Sequence, residues 1–372
     1  MHIQPFQALY PIAELIPSPD YFFSTMKDKY GEYYQGGFFK KMAQEGLYIH
    51  RISAQHRTFL GLIACVDMQD YLAGHIKRHE NTIPMAEQEQ VRQVLLRNAQ
   101  TKPVMLTYRN APEVNDLLAQ YAASTPSFME VWFDEIAEKH AFWAISQTPI
   151  IRELQDFFLK NIPLAYIADG HHRSAVAAKL FLRNGPDDPE NPYRWLVCAL
   201  YPASELEIHD FNRIITGLTE LSPTMFMAKL SRIFEIDLLD EAQKPNAKYE
   251  LTMLLDHEWY RLHWRPHVLD ACKGDDILLD VNLLNRLVLG DILGIVDVQS
   301  DPRIKYVEGP RGLDNVREKT LKNDERLAFC LYPISMEDFL AVSETDGVLP
   351  PKSTWFEPRI RSGLIVRQFL PH

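Results

Sequence analysis

The chain has 372 residues, enough for two domains or for one large domain with insertions, and its 46% apolar content fits a globular protein with a buried core. Lysine and arginine total 39 against 50 aspartates and glutamates, and the formal charge of −11 argues against nonspecific binding to DNA or to an anionic membrane. No apolar run approaches the roughly 20 residues of a membrane helix, and four single cysteines without a Cys-x-x-Cys pair indicate a reduced, cytoplasmic protein.

The first third of the chain alternates predicted strands and helices. Residues 47–54 and 57–68 are rich in aromatic and β-branched side chains and predict an antiparallel pair across a short polar break. Residues 102–109 predict another strand. A helix is predicted at residues 85–100, with one face formed by Val91, Val94, Leu95 and Asn98.

A compact strand–turn–helix–strand unit is predicted in the middle of the chain. Residues 163–168 read as a strand, 169–172 as a turn and 173–184 as a helix that stops at Gly185. Residues 194–202 then form a further strand.

This unit is preceded by a strand at residues 140–146 and a helix at 148–161. Thr148 is the expected N-cap of that helix and Pro149 its first helical residue. Its apolar face is formed by Ile150, Leu154, Phe157 and Phe158.

The last third also mixes strands and helices. Residues 249–265 predict a hairpin that turns at Asp256 to Glu258, and residues 326–334 predict a strand. Residues 280–293 and 336–345 predict helices.

These elements together predict a mixed α/β (α+β) fold without internal repeats. We expect a central region, 111–220, between an N-terminal region, 1–110, and a C-terminal region, 221–372, or all three intertwined in one domain.

The densest polar chemistry lies at the predicted junction of strand and helix. Asp169, Gly170, His171, His172 and Arg173 follow one another there. The first N–H groups of a helix attract anions, a glycine admits a phosphate close to the backbone, and arginine binds phosphate or carboxylate. The stretch therefore predicts an anion site. The alternative is that Asp169 only caps the helix and the following residues form a solvated first turn.

A second polar cluster is the segment His75–Thr82. Lys77 and Arg78 are candidates for neutralising phosphate charge, and His79 or Glu80 for accepting a proton from a hydroxyl group. An ordinary charged loop explains the same residues.

A third candidate segment is Pro350–Pro358, in which a double proline is expected to hold the loop extended. Lys352, Ser353 and Thr354 are candidate phosphate contacts, and Trp355 offers a surface for stacking. The alternative is an edge strand. The remaining candidates, which follow the central unit closely, are Asn212 and Arg213.

The chain resembles a bacterial and archaeal family known only as domain of unknown function 1015. The resemblance implies a prokaryotic protein but no activity. The matching blocks are "GLYIHR" (46–51), "GLIACVDMQDYLAGHIKRHENT" (61–82), "IADGHHRSAVA" (167–177), "YPASELEIHDFNRII" (201–215) and "LPPKSTWFEPRIRSGLIVR" (349–367).

The loop Asp169–Arg173 is also similar to the phosphate-binding loop of the ParB and sulfiredoxin superfamily. His171 stands where sulfiredoxin has its reactive cysteine, so that chemistry does not carry over. Free serine kinases have an Asp-Gly-His-Thr-Arg loop that differs only at His172. The resemblance implies a ParB/sulfiredoxin-like core elaborated by the N- and C-terminal regions.

It also implies a phosphotransferase that uses ATP or ADP with Mg²⁺ and a small hydroxyl substrate, of which free serine is the most concrete candidate. Asp169 would orient Mg²⁺ or the acceptor, and Gly170 with the next backbone N–H groups would cradle phosphate. The side chains of residues 171–173 would stabilise phosphate oxygens, and Glu80 or His79 would act as base.

The alternative is a non-enzymatic, ParB-like nucleotide switch that regulates a protein partner. DNA binding is a third hypothesis, which the acidic balance disfavours. The oligomeric state, a homo-oligomer included, stays open.

Overall fold

In the computed structural model the described residues are 1–81, 84–218, 220–272, 274, 277–322 and 327–369. They group into two compact units, Met1–Glu207 with Pro358–His372, and Ile208–Glu357. The C-terminal segment therefore belongs to the same unit as the N-terminal half, whereas the sequence suggested boundaries near residues 110 and 220.

The strands in chain order are β1 (Ile3–Gln4), β2 (Leu9–Pro11), β3 (Phe39–Lys41), β4 (Leu47–Ser53), β5 (Thr58–Asp67), β6 (Ile76–Lys77), β7 (Ala99–Gln100), β8 (Val104–Tyr108), β9 (Met129–Phe133), β10 (Glu138–Ile145), β11 (Ala165–Asp169), β12 (Trp195–Pro202), β13 (Glu207–His209), β14 (Phe211–Ile215), β15 (Phe234–Leu239), β16 (Glu250–Leu255), β17 (Glu258–Trp264), β18 (Ile304–Glu308), β19 (Leu327–Leu331), β20 (Trp355–Glu357) and β21 (Arg367–Gln368).

The α-helices are α1 (Pro19–Gln35), α2 (Met68–Leu72), α3 (Pro84–Arg97), α4 (Pro112–Ser124), α5 (Thr148–Asn161), α6 (His171–Arg183), α7 (Pro223–Leu230), α8 (Pro266–Ala271), α9 (Asp280–Leu283), α10 (Gly312–Lys322) and α11 (Met336–Glu344). Shorter helical turns span Ala13–Leu15, Ala203–Glu205 and Gly309–Arg311, and a π-helical stretch, Leu284–Gly290, continues α9.

The first unit is built on a mixed sheet with the strand order β6–β11–β8–β12–β5–β4–β10–β9, to which β1 adds against β5. Among the described strands of this sheet, two pairs run parallel, β11 with β6 and β12 with β8, and the others run antiparallel. The predicted pair β4–β5 is antiparallel, as expected, and the predicted strands β8, β10, β11 and β12 are confirmed.

The core of this unit lies between the sheet and its helices because both contribute buried apolar faces. Core residues of the sheet include Leu47, Leu62, Ala64, Val104, Leu106 and Ile167, and those of the helices include Val114, Leu118, Leu154, Phe158, Val176, Leu180 and Phe181.

Two helix starts differ from the expectation. The cap of α5 is Gln147, and Thr148 is already helical, with no side-chain hydrogen bond capping this end. Helix α6 begins at His171, so the turn expected at residues 169–172 consists of Gly170 alone. The reason is the left-handed conformation of Gly170, whose φ of 114° reverses the chain within one residue.

The helical face predicted in α3 is only partly correct. Val91 is buried, but Leu95 is 50% exposed. Asn98 lies beyond the end of the helix, with a φ of 49°, because a left-handed residue ends the helix there. The local apolar spacing therefore predicted the helix but only part of its buried face.

The second unit contains an antiparallel sheet with the order β15–β17–β16–β19–β14–β18. The predicted hairpin is β16–β17, and Asp256, with a φ of 55°, forms its turn. The predicted strand near residues 326–334 is β19; Arg326 lies outside the described residues. The helix predicted at 280–293 is α9 with its π-helical continuation, and the helix predicted at 336–345 is α11.

None of the four cysteines forms a disulfide, and Cys65, Cys198 and Cys330 are buried, as expected for small apolar side chains in strands. Within the described part of the chain, every helix is too short or too polar to cross a bilayer.

Candidate anion-binding site

The strand β11 brings two distant segments to the start of α6. The strand β6 runs parallel to β11, with Ile76 beside Ala165, so residues 79 and 80 follow β6 at the end where β11 finishes. The strand β8 runs antiparallel, so the residues just before β8 reach the same end. The polar segments therefore converge through strand pairing, although they are far apart in sequence.

Three cationic side chains surround the Asp169 carboxylate. Arg173 Nη2 donates to Asp169 Oδ2 at 2.7 Å, and Lys102 Nζ lies 3.2 Å from the same oxygen. Arg359 Nη2 lies 3.9 Å from Oδ1. One carboxylate thus faces three positive charges.

The pKa values of this cluster reflect the excess of positive charge. Burial by itself would raise the pKa of Asp169, but the charges of Arg173, Lys102 and Arg359 outweigh it and hold the pKa well below the usual value. The pKa of Lys102 is lowered to about 8, by burial and by repulsion from Arg173 and Arg359, although Asp169 opposes this shift. The environment of Lys102 therefore disfavours a further positive charge and favours an anion.

Arg173 is held in place by the backbone around it. Its Nη1 donates to the carbonyl oxygens of Lys102, at 3.2 Å, and of Pro103. Its guanidinium also packs on Gly170, where a Cβ atom would lie 2.8 Å from Nη2. Glycine at this position therefore permits both the turn and the approach of the arginine.

His171 is buried and faces the segment after β6. The backbone N–H of His79 donates to His171 Nε2 at 3.5 Å, and His171 Nδ1 lies 3.5 Å from Glu80 Oε2. The two imidazole rings are perpendicular, with their centroids 4.3 Å apart. Since Nε2 accepts a hydrogen bond, the proton of neutral His171 lies on Nδ1, toward the Glu80 carboxylate.

Burial and the nearby positive charges of Arg173 and Arg78 keep His171 neutral. Its pKa is lowered to about 4, chiefly by desolvation, while Asp169 opposes the shift. Both ring nitrogens thus face groups of the protein, which suits His171 to positioning Glu80 better than to contacting phosphate, the role expected from the sequence.

The remaining candidates of this unit differ in accessibility. His79 is 1% exposed, whereas the Glu80 side chain is 37% exposed. Arg78 is exposed, with its guanidinium 6.0 Å from the ring of Tyr71, and Lys77 belongs to β6. In the part of the chain that the structure describes, no group is hydrogen-bonded to the Nδ1 atom of half-buried His172. Thr82, the last residue of the predicted segment, lies outside the described residues.

A cavity of about 450 Å³ lies beside the cluster, on the side of Lys102 and Arg173. This volume lies within the range of small-molecule sites. Its apolar lining consists of Val94, Val104, Val176, Ala177, Leu180, Tyr193, Leu196 and Phe369, together with Ala99. Its charged lining consists of four cationic side chains and two carboxylates, Lys27, Arg97, Lys102 and Arg173 with Asp28 and Glu89. The cavity therefore has a polar part with an excess of positive charge and a larger apolar part.

The surroundings of Asp169 do not fit the expected Mg²⁺ ion. Its Oδ2 already accepts from Arg173, and a divalent cation at this carboxylate would meet three positive charges within a few ångströms. The cationic hydrogen-bond donors around Asp169 suit an anion instead.

The other sequence candidates, Asn212, Arg213, Lys352, Ser353 and Thr354, belong to the second unit. Arg213 is 2% exposed, and burial lowers its pKa to about 10. Its Nη1 donates to the carbonyl oxygen of Phe211 at 2.8 Å and its Nη2 to that of Lys352 at 3.3 Å. The guanidinium thus binds backbone groups of its own unit.

The loop around Lys352 turns instead of staying extended. Lys352 has a φ of 56°, and the Ser353 hydroxyl donates to the carbonyl oxygen of Pro350 at 2.6 Å. Asn212 is 1% exposed, and neither polar atom of its side chain has a hydrogen-bond partner among the described residues. A role of these residues in phosphate binding stays a prediction.

Lys102 and Arg359 were missed in the sequence analysis. Lys102 is the first residue of the segment that predicted β8, and an antiparallel pairing of β8 with β11 would have placed it beside Asp169. Arg359 lies in the last of the five family-like sequence blocks. The position of Lys102 before β8 and that of Arg359 in a family-like block were visible in the sequence. Neither residue adjoins the Asp169–Arg173 loop in sequence, so neither was chosen as a candidate.

The protein is thus a mixed α/β protein with a cationic pocket at the start of a helix. The family described as protein of unknown function (DUF1015) matches residues 13–286. The chain belongs to this family, as the sequence blocks indicated. No curated protein matches the chain in sequence.

Solved structures with a similar chain path include a free serine kinase in complex with AMP, with 12% identity and a TM-score of 0.40 over 79% of this chain and 86% of that chain. A conserved hypothetical protein from Pyrococcus furiosus has 12% identity and a TM-score of 0.40, over 82% and 95% of the two chains. SbnI with a C-terminal truncation, from Staphylococcus aureus, has 11% identity and a TM-score of 0.41, over 81% and 85%. Likeness at this level bears on neither substrate nor mechanism.

Proposed function

We propose that the protein is a nucleotide-dependent phosphotransferase that phosphorylates a small hydroxyl compound. The observation that carries the proposal is the group of three cations around Asp169, next to a cavity of about 450 Å³. Free serine is the acceptor to test first, because the Asp169–Arg173 loop resembles that of free serine kinases.

The phosphates of the nucleotide bind beside Lys102, Arg173 and Arg359. An anion there relieves the repulsion that lowers the pKa of Lys102. The backbone N–H groups of the first turn of α6 lie at the same end of this helix as Arg173, and they add to the attraction for the phosphates. Asp169 stays ionised and holds the cations in position, so it does not serve as the base.

Glu80 accepts the proton of the acceptor hydroxyl. Its carboxylate is accessible, and His171 Nδ1 lies 3.5 Å from it and orients it. The hydroxyl oxygen forms a bond to the terminal phosphorus, the bond from that phosphorus to the nucleotide's bridging oxygen breaks, and the proton passes to Glu80. The cations stabilise the charge on the transferred phosphoryl group and on the leaving phosphate.

The test is incubation of the purified protein with ATP or ADP, Mg²⁺ to complex the nucleotide, and an amino-acid mixture, followed by mass spectrometry. We expect a phosphorylated product, phosphoserine first. Glu80→Gln and Arg359→Ala should each lower its rate of formation by about 10²-fold or more, since each removes a transition-state contact.

The matched control is Arg183→Ala, which removes an exposed arginine in the last turn of the same helix. Its rate should equal that of the wild type. Nucleotide-dependent thermal stabilisation without any product would contradict the phosphotransferase and favour the non-enzymatic switch. Intact turnover in both Asp169→Ala and Arg173→Ala would exclude the site itself.

A further inference from the structure

The helix α6 contributes a continuous stripe to the cavity, and this stripe changes chemistry along its length. Val176, Ala177 and Leu180 lie three, four and seven residues after Arg173, which places the four side chains on one helical face. Seven residues of α-helix span about 10 Å. The stripe therefore runs from a cationic end at Arg173 to an apolar end at Leu180.

An aromatic pair lies toward the apolar end. Asn191 Nδ2 donates to the carbonyl oxygens of Phe181 and Gly185 at the C-terminal end of α6, and Asn191 Oδ1 accepts from the backbone N–H of Tyr193. The rings of Tyr193 and Phe369 have centroids 4.7 Å apart, and both residues line the cavity. Aromatic faces of this kind bind planar bases by stacking.

We propose that the cavity binds the nucleoside part of a nucleotide, with the base between the apolar stripe and the Tyr193–Phe369 pair and the phosphates at Lys102 and Arg173. This inference rests on the proposed function for the identity of the ligand. It adds the direction in which the ligand lies and the residues that bind its base.

The inference predicts that the two ends of the cavity contribute separately to affinity. Leu180 is 3% exposed, and Leu180→Trp would fill the apolar end. We expect the dissociation constant for ADP, measured by isothermal titration calorimetry, to rise about tenfold or more, since the base loses its site. The dissociation constant for pyrophosphate, which has no base, should change by less than about twofold.

Leu182→Trp is the matched control, because Leu182 is on the same helix but is 51% exposed and does not line the cavity. It should bind ADP like the wild type. Ala177→Leu is a second filling variant, in case Leu180→Trp does not fold, and thermal unfolding monitors both.

The possible outcomes separate the binding mode from the proposed activity. Unchanged ADP affinity in both filling variants, or an equal loss of pyrophosphate affinity, would overturn the inference. A wild-type protein that binds neither ADP nor pyrophosphate would overturn it together with the proposed function. A wild-type protein that binds ADP through the cavity without phosphorylating any acceptor would refute the phosphotransferase and leave the binding mode intact.

Discussion

At the scale of single residues, Lys102 is the side chain whose protonation we expect to respond to a bound anion. It is 25% exposed, adjoins Asp169 and lines the cavity. Burial and two arginines make its ammonium form costly, and one carboxylate only partly offsets that cost. A bound phosphate supplies the missing negative charge, so protonation of Lys102 and anion binding favour each other.

This linkage predicts a pH dependence of nucleotide affinity. Since the pKa of Lys102 is lowered to about 8, the free protein loses this proton above that pH, and ADP binding must restore it. The phosphates of ADP are already ionised there. We expect the dissociation constant for ADP to rise with pH above about 8, by up to about tenfold per pH unit, and to be constant near pH 7.

The measurement is calorimetric titration between about pH 7 and pH 9.5, with Lys102→Arg as the matched variant. Arginine keeps its charge over this range, so the variant should bind with a constant affinity. A wild-type affinity that does not vary across the range would refute the role of Lys102.

At the scale of elements, the site depends on a one-residue turn from β11 into α6. Gly170 has a φ of 114°, a conformation that other residues avoid, and a Cβ would lie 2.8 Å from Arg173. Gly170→Ala should therefore lower the free energy of unfolding by about 1–3 kcal/mol, measured by urea denaturation. It should also weaken ADP binding, because Arg173 must move.

The control is Gly31→Ala in the interior of α1, where a Cβ would meet no described atom within 4 Å apart from the backbone of the helix itself. This change should leave stability unchanged or raise it by about 0.5–1 kcal/mol, because alanine is the better helix former. Equal effects of the two substitutions would show that the turn at Gly170 carries no strain.

The sequence predicts the elements of this site better than their assembly. The composition of β11 and the alanine-rich start of α6 are local signals, and both elements were predicted from them. The pairing of β11 with β6 and β8 is not local: the partners are about 60–90 residues away, and periodicity carries no information on which strands adjoin. Glu80 was proposed as a base from its chemistry and stays a prediction, whereas the position of Lys102 and Arg359 beside Asp169 is seen only in the folded chain.

At the scale of the whole molecule, neutral histidines buried in the fold couple its stability to pH. His50, His79, His140 and His171 are 0–5% exposed. Desolvation lowers the pKa of each, to about 3 for His140 and to about 4 for His171. His50 and His140 are also hydrogen-bonded to each other, Nε2 to Nδ1 at 3.0 Å, which fits one proton on that contact and not two.

These histidines predict that the fold loses stability as the pH falls below their ordinary value of about 6.5. In that range the unfolded chain takes up protons that the folded protein does not, and each histidine contributes up to about 1.4 kcal/mol per pH unit. Urea denaturation at about pH 7.5 and pH 5.5 should show the loss. His140→Gln removes one such group and should reduce the difference in the free energy of unfolding between the two pH values by about 1 kcal/mol.

His267→Gln, at an exposed position on α8, is the control and should leave this difference in free energy unchanged. If the wild type and His140→Gln lost the same free energy between the two pH values, His140 would not be held neutral by the fold.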